Sequence, residues 1–385
     1  PLFDMLESPD FFGLMRQNAK RLYGVDDGLA MTHAVDDRGR HVGPALRAQS
    51  ALDQACTGWT AQLYWWYWKH TGDLDFLRDR AYPFLRGAMR AYEGMLEKRD
   101  GAYRLPVGIS AEYRYKDEGG RIVTYGPNPS YQLACIHMLL HALFEACEAL
   151  GIEPRAAWRD IRAHLPPYTL IATEDPYSEI NGEKGPRIAI WEGLDLEVCH
   201  RHHSHLACIY PFDSLEAWTG EHRRILEHSI DHWISRGMGE WSEWCIPWAA
   251  IIQARLGCRE APRVLLELWK DVFINEGLAT VYLPRFRGLS AHRRADIEQP
   301  KDAFEIMQLD GTMAGATAVY EMLAHERGGT IRVFPAVPDA WEDVTFHGIG
   351  LPGPVRVSAE RAGGRTSWVE LESKLGGQVV IDVDD

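Results

Sequence analysis

Apolar residues recur at every third or fourth position through most of the first 328 residues, and at every second position after that. The segment FFGLMRQNAKRLYG (11–24) carries such a stripe and stops at Gly24, a residue suited to ending a helix. TGWTAQLYWWYWKHTGD (57–73) reads as a second helix, and LDFLRDRAYPFLRGAMRAYEGMLEKRDG (74–101) runs back at once in the opposite sense. The alternation returns in SYQLACIHMLLHALFEACEALG (130–151) with AAWRDIRAHL (156–165). It returns again in RRILEHSIDHWISRG, WSEWCIPWAAIIQARLG, APRVLLELWKDVFI and TMAGATAVYEMLAHERGG. Long helices joined by short turns make helical hairpins. Irregular stretches at 25–56, 104–129, 167–203 and 275–309 separate the hairpins, and long loops inside a compact domain tend to carry function. From Thr330 the period falls to two in TIRVFPAVP, VTFHGI, VRVSAER, TSWVELESK and QVVIDVD, which predicts short strands. The pattern therefore predicts a mainly α chain, residues 1–328, with a small β domain at 329–385.

Composition narrows what such a chain could bind. Its 385 residues can bury a large core, and 46% hydrophobic with 25% charged content is ordinary for a globular protein. No unbroken run of eighteen apolar residues occurs, so no membrane partner is expected. A net charge of −14 disfavours nucleic acid, whose phosphates need concentrated Lys and Arg, and also an anionic polysaccharide. A neutral ligand fits best. The fourteen tryptophans include several in polar company, at Trp59, in YWWYW and in EWSEW, and are read as core residues or as flat platforms for sugar rings. Seven cysteines, an odd number without CxxC spacing, do not make a disulfide framework or a zinc finger.

Three polar features could carry chemistry. RLPVGISAEYRY (104–115) presents Glu112 among Ile109, Tyr113 and Tyr115. It reads either as a solvated loop residue or as a general acid with a raised pKa. Asp310 stands in a Leu-Asp-Gly step before a helix of small residues, where it could cap the helix, act in catalysis, or do both. CHRHHSHLACIYPFD (199–213) places His202 and His205 three apart, on one face if a helix has begun there. The cluster could ligate zinc with Cys199, or donate to the hydroxyls of a neutral sugar. A Ser204–His205 nucleophile pair lacks the turn that would present it.

Taken in order, GW…YWKHTGDLDFL, PVGISAE, GPNPSYQ, HRHHSHLACIYP, EWCIPWAAIIQARL and QLDGTMAGATAVYEML resemble glycoside hydrolase family 95, over essentially the whole chain. The resemblance implies an inverting α-L-fucosidase or α-L-galactosidase, built on an (α/α)6 toroid with a small C-terminal β domain. By motif it makes Glu112 the general acid. Asp310 becomes the aspartate that polarises an asparagine, which in turn activates water. His33, Asp36, Trp59, Asn128, Gln132, His200, Arg201, His202 and His205 become contacts to the sugar, and a neutral oligosaccharide becomes the partner. Neither a metal nor another cofactor is implied. A periplasmic or extracellular location would follow.

The chain departs from the family at three points. HAVD (33–36) stands for His-Asn-Thr-Asp, DGTMAG for Asp-Gly-Asn-Phe-Gly, and the family's catalytic Asn-x-Asn occurs nowhere. The expectation is a chain lacking its first helical segment, and with it the asparagine pair, so that this piece alone would not be a competent catalyst. Three alternatives to hydrolysis remain at this stage: a polysaccharide lyase on an α/α toroid, a non-catalytic sugar-binding remnant, and a phosphorylase from a related toroid.

Overall fold

The computed structural model describes residues 1–31, 33–36, 38–39, 51–172, 185–215, 219–285 and 306–383. Parts of the irregular stretches 25–56, 167–203 and 275–309 therefore lie outside the described residues. The chain forms two compact units, Pro1–Glu197 with Ser204–His232, and Val198–His203 with Trp233–Asp385.

The first unit is helical. It contains α1 (Leu2–Leu6), α2 (Pro9–Tyr23), α3 (Ala55–Thr71), α4 (Tyr82–Met95), α5 (Ser130–Leu150) and α6 (Ala156–His164). A short turn Leu74–Phe76 and a π-helical turn Leu77–Ala81 lead into α4. Gly24, Gly72 and Gly151 end α2, α3 and α5 in the left-handed conformation. Asp73 then starts the next helical run by accepting from Phe76 N at 2.9 Å. Helices α3, α4 and α5 pack on one another. Among the described residues α5 alone is long and apolar enough to cross a membrane, by length and composition, and 61% of that window is buried. A buried ion pair joins Arg187 to Asp195 at 2.5 Å, with His232 Nε2 3.4 Å from the same carboxylate.

Helix α7 (Gly220–Ser235) carries residues of both units. The second unit holds α8 (Cys245–Arg255), α9 (Glu260–Phe273) and α10 (Leu309–Leu323), with α8 packed on both of the others. Arg255 forks onto Glu321 with two 3.0 Å bonds, tying α8 to α10. Six strands follow: β1 (Ala324–Arg327), β2 (Thr330–Val333), β3 (Val344–Leu351), β4 (Val355–Ala362), β5 (Arg365–Ser373) and β6 (Val380–Val383). They form two three-stranded sheets, ordered β5-β4-β3 and β6-β2-β1, with β6 parallel to β2. Val333, Phe334, Val337, Phe346, Val357 and Ala359 fill the core between them.

Helix α2 lies where the apolar stripe puts it, but two segments differ from the pattern. Residues 97–101 leave the helical run after Met95 and form a hairpin, Glu97–Arg99 against Ala102–Arg104. Asp100 and Gly101 turn it with φ of 50° and 85°, the Asp-Gly pair that two-residue hairpins favour. AHER (324–327) likewise ends α10 and pairs with β2 across Gly328 and Gly329, both at positive φ.

Candidate functional site

In the first unit the carboxyl of Glu112 meets a histidine that is distant in sequence. His33 Nε2 lies 3.2 Å from Glu112 Oε1, while His33 Nδ1 lies 3.5 Å from Asp53 Oδ2. Asp53 is fully buried, whereas Glu112 and His33 are 29% and 41% exposed, so the group runs from the core outward. Asp53 and then Cys56 hold the His33 imidazole at about 10, well above its usual value. At neutral pH the ring is therefore an imidazolium that can donate from both nitrogens.

The loop that carries Glu112 is fixed on every side. Glu112 sits at φ 51° in a turn closed by Tyr113 N to Ser110 O, 2.9 Å. A non-glycine residue in that region costs energy, and such strain persists only where the surroundings impose it. Ser110 is buried and shares a 2.6 Å hydrogen bond with Ser204. The Tyr113 hydroxyl accepts from Glu197 N at 2.9 Å, and its ring meets Trp191 edge-on. Gly108 and Gly126 exchange both backbone hydrogen bonds. Gly126 has to be glycine, because a Cβ there would lie 2.3 Å from the Trp191 ring.

The other expected contacts of this unit divide by what they hold. Asn128 accepts from Leu105 N at 2.8 Å and donates to Glu192 Oε2 at 3.3 Å, so its amide braces the acid loop. Gln132 is fully buried. It accepts from Tyr92 at 2.5 Å and donates towards Leu52 O, Ile109 O and Asp53, joining the floor of the loop to the carboxylate behind His33. Asp36 accepts from Arg38 N in a local turn. Trp59 is half-buried and packs edge-on against Phe212. His205 is buried in a single 3-10 turn, Ser204–Leu206. That turn begins after His202, so the two histidines do not share a helix face.

His33, Asp53 and Cys56 also bring one ligand-capable atom each within 4.8 Å of one another. A cation there would have to displace the protons of the His33 imidazolium and of the Cys56 thiol, which burial holds up at about 12.

In the second unit His200 and His202 lie with ring centroids 5.1 Å apart, and His202 meets Trp244 edge-on at 5.4 Å. Trp244 stacks on Trp248 at 4.6 Å. His203, which sequence reasoning passed over, is the core histidine of the cluster. Fully buried among Trp233, Trp241 and Trp248, it accepts from Trp233 Nε1 at Nδ1 and donates from Nε2 to Cys245 O. Burial pushes it down to about 3, so it is neutral. Arg201 O accepts from the Cys245 thiol.

Asp310 is exposed at the second position of α10, not at its cap. Gln308 is the cap residue, and Asp310 Oδ1 accepts from Gly311 N at 2.9 Å. A carboxylate in the first turn is favoured by the helix dipole. Against the same turn lies a residue the motifs did not single out. Glu243 is 1% exposed, its carboxyl oxygens have no well-aligned hydrogen-bond partner among the described residues, and burial followed by the Asp310 charge raises it to about 8. Its sequence signal was faint but present, since Glu243 is the only charged residue between Glu240 and Arg255.

The model of the glycosyl hydrolase family 95 catalytic domain matches residues 1–323. The chain belongs to glycosyl hydrolase family 95. This family 95 chain is 25% identical over 368 residues to "Alpha-L-fucosidase 2" of Arabidopsis thaliana, covering 93% of the chain and 40% of that relative. A structure described as "Putative kojibiose phosphorylase from human microbiome" superposes with a TM-score of 0.55 at 9% identity, over 96% of this chain and 56% of that one. The second likeness is one of fold. The family 95 chain thus spans less than two thirds of the length of either relative.

Proposed function

We propose that this chain is the catalytic part of a glycoside hydrolase that releases a terminal α-L-fucosyl or related α-L-galactosyl unit from a neutral oligosaccharide with inversion. Residues 1–328 would form its (α/α)6 toroid and 329–385 its β domain. The observation that carries the reading is the chain of contacts from Asp53 through His33 to Glu112, held on a strained and fully braced turn in a family 95 sequence.

A general acid needs a proton to give and a way to survive losing it. Glu112 gives its proton to the glycosidic oxygen as the bond to the sugar breaks. The His33 imidazolium steadies the carboxylate left behind, the buried Asp53 balances the charge that the imidazolium carries, and the part-exposed Glu112 regains its proton from solvent. The sequence placed the acid in aromatic and apolar surroundings. The 3.2 Å contact with His33 supports a charged setting for it instead, and the Tyr113 hydroxyl accepts from Glu197 N. On the water side, Asp310 is the carboxylate that assists attack on the opposite face of the sugar ring, as inversion requires.

The test is release from α-L-fucosides and α-L-galactosides by the full protein, with Glu112→Gln as the diagnostic variant. Loss of the acid should cost about 10²–10⁴-fold on substrates with poor leaving groups and much less on activated aryl glycosides. An equal loss on both would remove Glu112 from the acid role. An unsaturated product absorbing in the near ultraviolet would point to a lyase, and binding without release to a sugar-binding remnant.

A further inference from the structure

Helix α10 begins with two carboxyl groups close to a single glycine. Asp310 folds its carboxylate onto Gly311 N at 2.9 Å. On the other side, a Cβ on Gly311 would lie 3.0 Å from Glu243 Cγ and 2.7 Å from Thr280 Cγ2, so the backbone of α10 rests directly on the Glu243 side chain. Asp310 is exposed and Glu243 is buried, its carboxyl oxygens without a well-aligned hydrogen-bond partner among the described residues. The nearby hydroxyls of Thr280 and Thr312 bond each other at 2.6 Å. A buried carboxylate without partners is costly, and two carboxylates side by side cost more, so one of the two must keep a proton.

We propose that Glu243 is a positioning residue for Asp310, a buried carboxylic acid that holds the one proton of the pair and leaves the charge on Asp310. The role deepens the reading of Asp310 as the carboxylate on the water side and rests on it. The groups around Glu243 agree with this assignment. Burial and the Asp310 charge favour its neutral form and lift it from 4.5 to about 8, against weaker opposing pulls from its own backbone N–H, Ser242 and Arg201. Cys245, which also lies close, is held up at about 12 and stays neutral. Arg201 is one of the residues expected at the sugar. In this arrangement its charge also offsets the buildup of negative charge beside α10.

The pair can be tested by stability as well as by turnover. Glu243 binds its proton more tightly in the folded chain than in the unfolded one. Its contribution to stability is therefore complete below about pH 4.5 and is lost as pH rises through about 8. Thermal melts across that window should show the wild type losing Tm with pH relative to Glu243→Gln, which cannot ionise. Parallel curves would overturn the assignment. In Asp310→Asn the like charge is gone, so the loss should be smaller and end at lower pH than in the wild type; an unchanged end-point would separate the two carboxyls. For turnover, kcat/KM should fall on the alkaline side as Glu243 ionises, and that limb should disappear in Glu243→Gln. Retention of the limb would leave Glu243 structural only. If no glycoside is released by any form, the hydrolase reading fails, while the melts still decide whether the pair exists.

Discussion

Asp53 and Glu112 flank the two nitrogens of His33, 3.5 and 3.2 Å away, and Asp53 followed by Cys56 sets its titration. Its pKa is raised from 6.5 to about 10 in the folded chain. The stabilisation it brings is complete below about pH 6.5 and is lost as pH rises through about 10. Replacing it as His33→Gln should flatten the alkaline decline of Tm over that interval, as read by calorimetry at a series of pH values. The same change should slow release from poor leaving groups more than from activated ones, because it removes the charge that steadies the Glu112 carboxylate as its proton leaves. Equal slowing on both would mean that His33 only shapes the loop. The pairing itself was not legible in the sequence. His33 and Glu112 were each visible as members of separate motifs, but they stand 79 residues apart, and periodicity carries no information over that distance.

At the scale of elements, glycines decide where the two acid-bearing segments can go. Gly126→Ala would drive a methyl group into the Trp191 ring and force the Gly108–Gly126 bridge apart. Overpacking of this kind costs about 1–3 kcal/mol, and here it should lower turnover as well, since the bridge supports the Glu112 turn. Gly311→Ala should cost a similar amount, because its methyl group would meet Thr280 and Glu243. Chemical denaturation of both variants checks the first effect, and a release assay checks the second. Much of the element order was readable because apolar stripes end at glycines able to take positive φ, as at Gly24, Gly72 and Gly151. The hairpin at Asp100–Gly101 and the strand at Ala324–Arg327 were hidden because each directly continues a helical stripe, where pattern alone does not mark the break. Glu243 was hidden for another reason. It occupies an apolar, aromatic stretch that reads as helix, and only the fold shows it buried against Gly311 of α10.

For the molecule as a whole, a net charge of −14 bears on which glycans can approach. Release from neutral substrates should change less than about twofold between low and high salt, whereas anionic oligosaccharides should improve as salt screens the repulsion. Initial rates over a salt series would check both, and a steep salt dependence on neutral substrates would count against the neutral-glycan reading. The tryptophan cage around His203 gives the second unit an optical signature of its own. Trp233 and Trp241 are stacked 5.4 Å apart, and Trp233 donates to an imidazole that stays neutral down to about pH 3. A neutral imidazole quenches indole emission far less than a charged one. The chain's intrinsic fluorescence should therefore stay nearly flat through mild acid, then drop when the cage opens and His203 takes up its proton. That drop would be a label-free reporter of whether the second unit is intact in any variant made elsewhere in the chain.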